Sequence, residues 1–189
     1  MGKSSTKAAL GIVGSPRREG NTEILVDEIL SGAKEANALT EKIILNELEI
    51  APCHACFACQ KKGKCVQQDD LPKVIEKMEK SHLWVLGTPI YWWGPTAQLK
   101  AFVDRWISIK REVFQGRCII LAMPLGGGHP DGARHAVGML TSSIRYLGME
   151  VSETVIAPGV ESLGDVRNHG DVLAKAHHAG QKAIELLRI

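Results

Sequence analysis

Four of the five cysteines in this chain fall in one stretch, "PCHACFACQKKGKC", with the spacing Cys53-x2-Cys56-x2-Cys59-x5-Cys65. Thiolates are soft-metal ligands and redox nucleophiles. The stretch could therefore be a disulfide staple, a zinc site, an iron–sulfur ligand set, or a group of redox-active or vestigial thiols. Disulfides fit a reducing compartment badly, and the N-terminus carries no apolar secretory core, so a cytoplasmic location is expected. Zinc sites usually combine two separated pairs around a knuckle or hairpin. Three thiols at successive x2 intervals, with a fourth soon after, can instead wrap one compact cubane. The short spacers let backbone amides point at cluster sulfides. Pro52 can stiffen the approach and Gly63 allows the turn before Cys65. Cys118 stands apart in the apolar run "CIILAM" and reads as a small buried hydrophobe.

Three further segments have the composition of ligand loops. "GSPRREGNT", Gly14 to Thr22, offers Ser15, Arg17, Asn21 and Thr22 as donors, with Gly20 letting backbone amides turn inward. Donors converging where a helix begins suit a phosphate dianion; the plainer reading is a turn followed by a helix cap. The segment lacks the G-x-G-x-x-G pattern of a dinucleotide fingerprint. "GTPIYWWGPT", Gly87 to Thr96, sets Tyr91, Trp92 and Trp93 side by side in a chain that is only 5% aromatic. Such a loop can wall a planar ring system, or fill a subunit interface with at least one of its rings. "PLGGGHPDG", Pro124 to Gly132, has glycines that admit close backbone approach to a flat ligand, or that simply make it flexible. His129 within it reads first as a solvent-exposed side chain.

Short apolar runs alternate with helical stripes and must hold these loops. Strands are predicted at Ala8 to Val13, Ile43 to Ile50, Leu83 to Gly87, Cys118 to Met123 and Val151 to Ile156. Helices are predicted over about 22–36 and 171–187. Between them come stripes led by Leu71, Val74, Ile75 and Met78, by Leu99, Phe102, Val103 and Trp106, and by Ala136, Leu140, Ile144 and Leu147. Asp69 or Asp70 can cap the first of these, with Pro72 tolerated in its first turn. Five β–α units with no repeat or linker imply one domain over 1–189, with a cysteine-rich insert at about 51–68. The fold class is α/β, a three-layer sandwich around a parallel sheet. Strands one, three and four are continuously apolar and strands two and five mixed, which fits the order 2-1-3-4-5. The ligand cleft then lies at the carboxyl ends of strands one, three and four, where the three loops emerge.

A chain of 189 residues with 44% hydrophobic and 23% charged residues has ordinary globular composition. The net charge of +2 and the absence of a basic run with interleaved aromatics argue against nucleic acid. No apolar stretch approaches the roughly 18 residues of a membrane span. Met1-Gly2-Lys3-Ser4-Ser5-Thr6 fits the N-myristoylation pattern, a short match of common residues.

Together, "GSPRREGNT", "GTPIYWWGPTAQLKAFVDR" and the glycine loop resemble the flavodoxin-like NAD(P)H-dependent FMN reductase superfamily over nearly the whole chain. The resemblance implies FMN, its phosphate in the first loop and its isoalloxazine ring against the other two. The cofactor-binding residues would be Ser15, Arg17, Gly20, Asn21, Thr22, Pro89, Ile90, Tyr91, Trp92, Trp93, Gly94, Gly126, Gly127, Gly128 and Gly132. The cysteine spacing resembles that of the iron–sulfur flavoproteins, a branch of the superfamily, and implies Cys53, Cys56, Cys59 and Cys65 as ligands of a 4Fe–4S cluster. The implied function is electron transfer through cluster and FMN between a low-potential donor, small-molecule or ferredoxin-like, and an acceptor. No side chain need act as nucleophile or general base. The rival is a cluster-free NAD(P)H-dependent FMN or quinone reductase, with NAD(P)H as substrate. A flavodoxin-like shuttle is disfavoured by the +2 charge, since flavodoxins are usually strongly acidic. A homodimer or dimer of dimers is implied, with the aromatic and cysteine loops reaching the neighbour.

Overall fold

Burial sorts the strands as their sequences imply. In β1 (Ala8–Val13), Ala9 and Val13 pack to one side of the sheet while Leu10 and Ile12 pack to the other. Every residue of β3 (Leu83–Gly87) is buried, as is nearly all of β4 (Cys118–Leu125). A run apolar on both faces has no solvent side, which is what a central parallel strand requires. β2 (Leu39–Ile44) and β5 (Glu150–Pro158) are the half-exposed edges. The computed structural model, which describes residues 6–187, joins these strands in the order β2-β1-β3-β4-β5, all neighbours parallel. The N-myristoylation match, Thr6 excepted, lies outside the described residues. No helix among those described is long and apolar enough to cross a membrane.

The second strand begins four residues before its expected start and ends at Ile44, so of Ile43 to Ile50 only the first two residues belong to it. Its register pairs Ala8 with Leu39 and Val13 with Ile44, and the chain turns at Leu45–Glu47. The first three residues of β2 are exposed. An edge strand paired on one side and wet along its first half shows no alternation by which to recognise it.

The described residues form six helices: α1 (Asn21–Glu35), α2 (Ala58–Lys62), α3 (Leu71–Lys80), α4 (Ala97–Asp104), α5 (Arg134–Tyr146) and α6 (Gly170–Leu186). The short α2 lies inside the cysteine segment. The expected stripes of α3, α4 and α5 pack with Trp84, Ile119 and Leu121 on one face, and Trp106 meets Phe102 edge-on at 5.7 Å. On the other face α1 and α6 pack side by side over Val85 and Ile120. His177 on α6 bridges Glu28 and Glu35 of α1 at 2.8 and 2.9 Å. Those two carboxylates, Glu35 first, raise the imidazole pKa.

The expected caps are only partly realised. Asp70 precedes α3, yet its carboxylate accepts from the Glu49 amide, while Asp69 Oδ1 accepts from Leu71 N at 3.2 Å. Cys118 starts β4 half-buried rather than fully enclosed, and burial pushes its thiol pKa up.

Candidate functional site

The loops leaving β1, β3 and β4 meet in a cleft of about 220 Å³. The first loop supplies Ser15, Arg17, Gly20, Asn21 and Thr22, the second Pro89, Ile90 and Tyr91, and the third Gly126. The joint between the first two loops is built from buried threonines. Thr96 Oγ1 donates to Gly14 O at 2.6 Å and accepts from Leu99 N at 3.3 Å, capping α4, while Thr96 N donates to Thr88 Oγ1 at 3.0 Å. Gly14 N in turn donates to Gly87 O at 2.8 Å. Ser15, 3% exposed, accepts the Arg17 amide at 3.1 Å and sets the turn that starts α1. Gly20 caps α1 without a side-chain bond, so the first helical amides keep their donors. Below them lies Glu23. Burial works against its charge, but Lys42, the Glu19 amide and Arg18 outweigh that and hold its carboxyl pKa below the ordinary value. Lys42 meets it at 2.8 Å and offsets its charge beneath a loop suited to an anion.

A fourth wall comes from the segment after β5, Val160 to Leu163, which the sequence did not single out. Arg17 Nη1 donates to Glu161 O at 3.0 Å and Asn21 Nδ2 to Ser162 O at 2.9 Å, while Asn21 Oδ1 accepts from Val166 N at 3.1 Å. Asp165 Oδ2 accepts from the amides of Glu161 and Ser162. Two of the expected donors thus hold this segment in place. The Glu161 side chain lies against Gly126, where a β-carbon would come within 2.7 Å of Glu161 Cγ.

Trp92, Trp93, Gly94, Gly127, Gly128 and Gly132 do not line the cleft. Tyr91 and Gly94 exchange both backbone hydrogen bonds at 3.0 Å around a two-residue tip, and Trp92 and Trp93 hold φ of 49° and 61°. Both central residues of this tight turn lie in left-handed conformations that favour Asn and Gly, and such a conformation costs a bulky residue about 1–2 kcal/mol. Within this chain little offsets that cost: Trp92 is 91% and Trp93 53% exposed, their rings tilted together at 6.1 Å. The double substitution Trp92→Asn/Trp93→Gly is therefore expected to raise the unfolding free energy by about 1–2 kcal/mol in denaturant titration. A loss of stability instead would place the indoles in a contact between molecules. His129 is exposed, and its Nδ1 accepts from Asp131 N at 3.2 Å at the start of a helical turn.

Cys53, Cys56, Cys59 and Cys65 all line a second cavity, of about 300 Å³, closed on its other side by Asp104, the last residue of α4, and by Arg105, Ile107 and Ser108 after it. Among the described residues no three Cys, His, Asp or Glu side chains gather as ligands of one ion do; the four thiols share a wall instead. Ala55 and Phe57, between the cysteines, hold φ of 51° and 54°. Backbone that alternates into the left-handed region turns successive amides toward one side, the arrangement that receives anionic groups. Against this wall lies Arg105, 1% exposed, paired with Asp69 at 2.6 Å. Its Nη1 also donates to Ala51 O at 2.7 Å, and its Nη2 to Cys65 Sγ at 3.2 Å.

Residues 8–159 match the family model described as NADPH-dependent FMN reductase. The chain belongs to that family. This family member is thus a flavin-dependent oxidoreductase. An iron–sulfur flavoprotein of Methanocaldococcus jannaschii is 32% identical over 193 residues, spanning 95% of this chain and 97% of that protein. An iron–sulfur flavoprotein of Methanosarcina thermophila is 32% identical over 142 residues, 75% of this chain and 74% of that one. Among solved structures, an NAD(P)H:quinone oxidoreductase of Methanothermobacter marburgensis superposes with a TM-score of 0.71 at 16% identity, covering 95% and 96% of the two chains, a likeness of fold.

For a member of this family the residues that sequence reasoning missed are informative. Val160 to Leu163 carry no ligand-type motif, and only their position after β5 could have marked them. Arg105 and Asp69 lie in helical context far apart in sequence. Arg105 was in view as the last residue of "GTPIYWWGPTAQLKAFVDR" and Asp69 as a possible helix cap, but neither signal pairs them.

Proposed function

We propose that this chain is an FMN-dependent electron-transfer protein whose cysteine cavity holds a 4Fe–4S cluster, working between a low-potential donor and an acceptor. The observation that carries this reading is that four cysteines from one short segment line a single cavity with a buried cation at its wall. The donor set fits such a cluster, in which each thiolate binds a different iron. The Arg105 guanidinium, which donates from Nη2 to Cys65 Sγ at 3.2 Å, supplies a positive charge beside it. When bound, the cluster supplies one-electron steps and FMN one- or two-electron steps. The names of the similar archaeal proteins support the same reading.

This chain's own part is binding, orientation and distance. The open amides at the start of α1, with Ser15, Arg17 and Thr22, form the phosphate end of the FMN cleft; Pro89, Ile90, Tyr91 and Gly126 form the ring end. Asn21 acts by clamping Ser162 and Val166. The remaining second- and third-loop residues shape their turns. α4 is a strut between the two places: its capping Thr96 bonds the first loop, and Arg105 after its last turn closes the cysteine cavity. Its eight residues span about 12 Å at about 1.5 Å per residue.

Anaerobic purification followed by FMN, iron and sulfide analysis tests the proposal. Iron and sulfide at cluster stoichiometry beside bound FMN support it. Zinc, or full NAD(P)H-driven reductase activity with no iron uptake, would favour a cluster-free reductase. Arg17→Ala is expected to weaken FMN binding by about 1–3 kcal/mol without unfolding the protein, and unchanged FMN affinity in fluorescence titration would remove the first loop from the site.

A further inference from the structure

Arg105 is an expensive residue to keep. A guanidinium 1% exposed has lost its water, and Asp69 restores only part of what that removes. The carboxylate takes the end of the planar group, Oδ2 at 2.6 Å from Nη1 and Oδ1 at 3.3 Å from Nη2. The adjoining edge of a guanidinium is formed by Nη2 and Nε. On that edge Nη2 donates to Cys65 Sγ at 3.2 Å, while Nε is one of two side-chain nitrogens among the described residues that are buried with no partner. In a purely structural ion pair an orphaned charged donor is a net loss. Its neighbour on that edge, Nη2, is the donor that reaches a thiol of the cavity.

We propose that Arg105 sets the electrostatics of the cysteine cavity, fixing the Cys65 sulfur through Nη2–H and placing a buried positive charge beside the bound cluster. The inference rests on the reading that the four cysteines hold an iron–sulfur cluster. Cys65 is the ligand that needs such help. Cys59 itself lies in α2, which runs on to Lys62 and ends in the left-handed turn at Gly63, so the x2 rhythm that organises the first three thiols does not position the fourth. Lys61, Lys62 and Lys64 are also cationic, but they are exposed, and water and salt screen them. Arg105 is buried, and one of its donors, Nη2–H, reaches the Cys65 sulfur. One-electron reduction adds a negative charge to a cluster, and N–H···S bonds from a cation favour that state, so Arg105 raises the midpoint potential. It is a positioning residue and does not touch the flavin cleft.

The test uses holoprotein reconstituted anaerobically with ferrous iron and sulfide, then titrated with dithionite as the one-electron reductant. Arg105→Lys keeps the charge opposite Asp69 and loses the planar fork. The double substitution Arg105→Met/Asp69→Asn removes both charges together, so neither is left buried alone. FMN content reports the fold, iron and sulfide report the cavity, and the midpoint potential reports the electrostatics. Arg105→Lys is expected to retain FMN, to bind iron about 10-fold more weakly, and to show a more negative midpoint potential; the double variant should lose up to about 100-fold in iron affinity. Wild-type iron affinity and potential in both variants would reduce Arg105 to a structural ion pair and overturn the inference. A wild-type protein that takes up no iron overturns the cluster reading itself, which is a different result. If the double variant loses FMN as well as iron, it has unfolded, and Arg105→Lys decides.

Discussion

Alanine at any one of Cys53, Cys56, Cys59 or Cys65 is expected to remove most of the iron bound after anaerobic reconstitution while FMN stays in place. The separation follows from the architecture. The proposed flavin cleft is lined by loops after β1, β3, β4 and β5, none of which includes a cysteine of this set. Three thiolates leave one iron of a cubane without a protein ligand, and the loop between Pro52 and Gln67 has little else to hold the cluster. The four variants should differ in stability. Cys53 and Cys56 are exposed, so their truncation is nearly neutral for the apoprotein. Cys65→Ala leaves Arg105 Nη2 short of an acceptor and should cost about 1–3 kcal/mol. Cys118→Ala is the control: iron intact, and below about 2 kcal/mol of packing lost. Iron and flavin content measured on the same samples checks this. Iron retained in all four single variants would remove the segment as a ligand set.

Alanine at Gly32 or Gly180 is the substitution expected to damage the fold most. Gly32 of α1 sits over the carbonyl of His177, and Gly180 of α6 over the carbonyl of Ile29, so a β-carbon at either position would overlap backbone of the facing helix. Backbone cannot rotate away as a side chain can. The two helices would have to separate, and with them the layer that packs Leu25, Ile29, Ala176 and Ala183 over the sheet. Overpacking of this kind costs about 3 kcal/mol or more, and in a chain of this size each kcal/mol lowers Tm by about 2–4 °C. Gly138, which faces open space in α5, is the comparison: Ala there should stabilise the helix by roughly 0.5–1 kcal/mol. Thermal unfolding of the three variants tests the ordering, and equal Tm values would show that α1 and α6 do not meet this closely.

Sequence alone was enough for what is repetitive or local. The apolar runs of β1, β3 and β4 marked them as central, because a strand buried on both faces cannot carry polar residues, and the strand order followed with three cleft loops. The cysteine segment was legible because its four thiols lie within fourteen residues of chain, from Pro52 to Cys65. Tertiary structure decided what depends on partners remote in sequence. β2 took its register from β1, not from an alternation of its own. Val160 to Leu163 joined the cleft because Arg17 and Asn21 bond to that segment across some 140 positions. The two tryptophans left the cleft because their tight turn points them outward, although their sequence places them beside Tyr91. Arg105 and Asp69 look in sequence like ordinary helix-end charges. Only the folding of α4 against the cysteine segment buries them together beside Cys65, since burial belongs to the surroundings that the rest of the chain supplies.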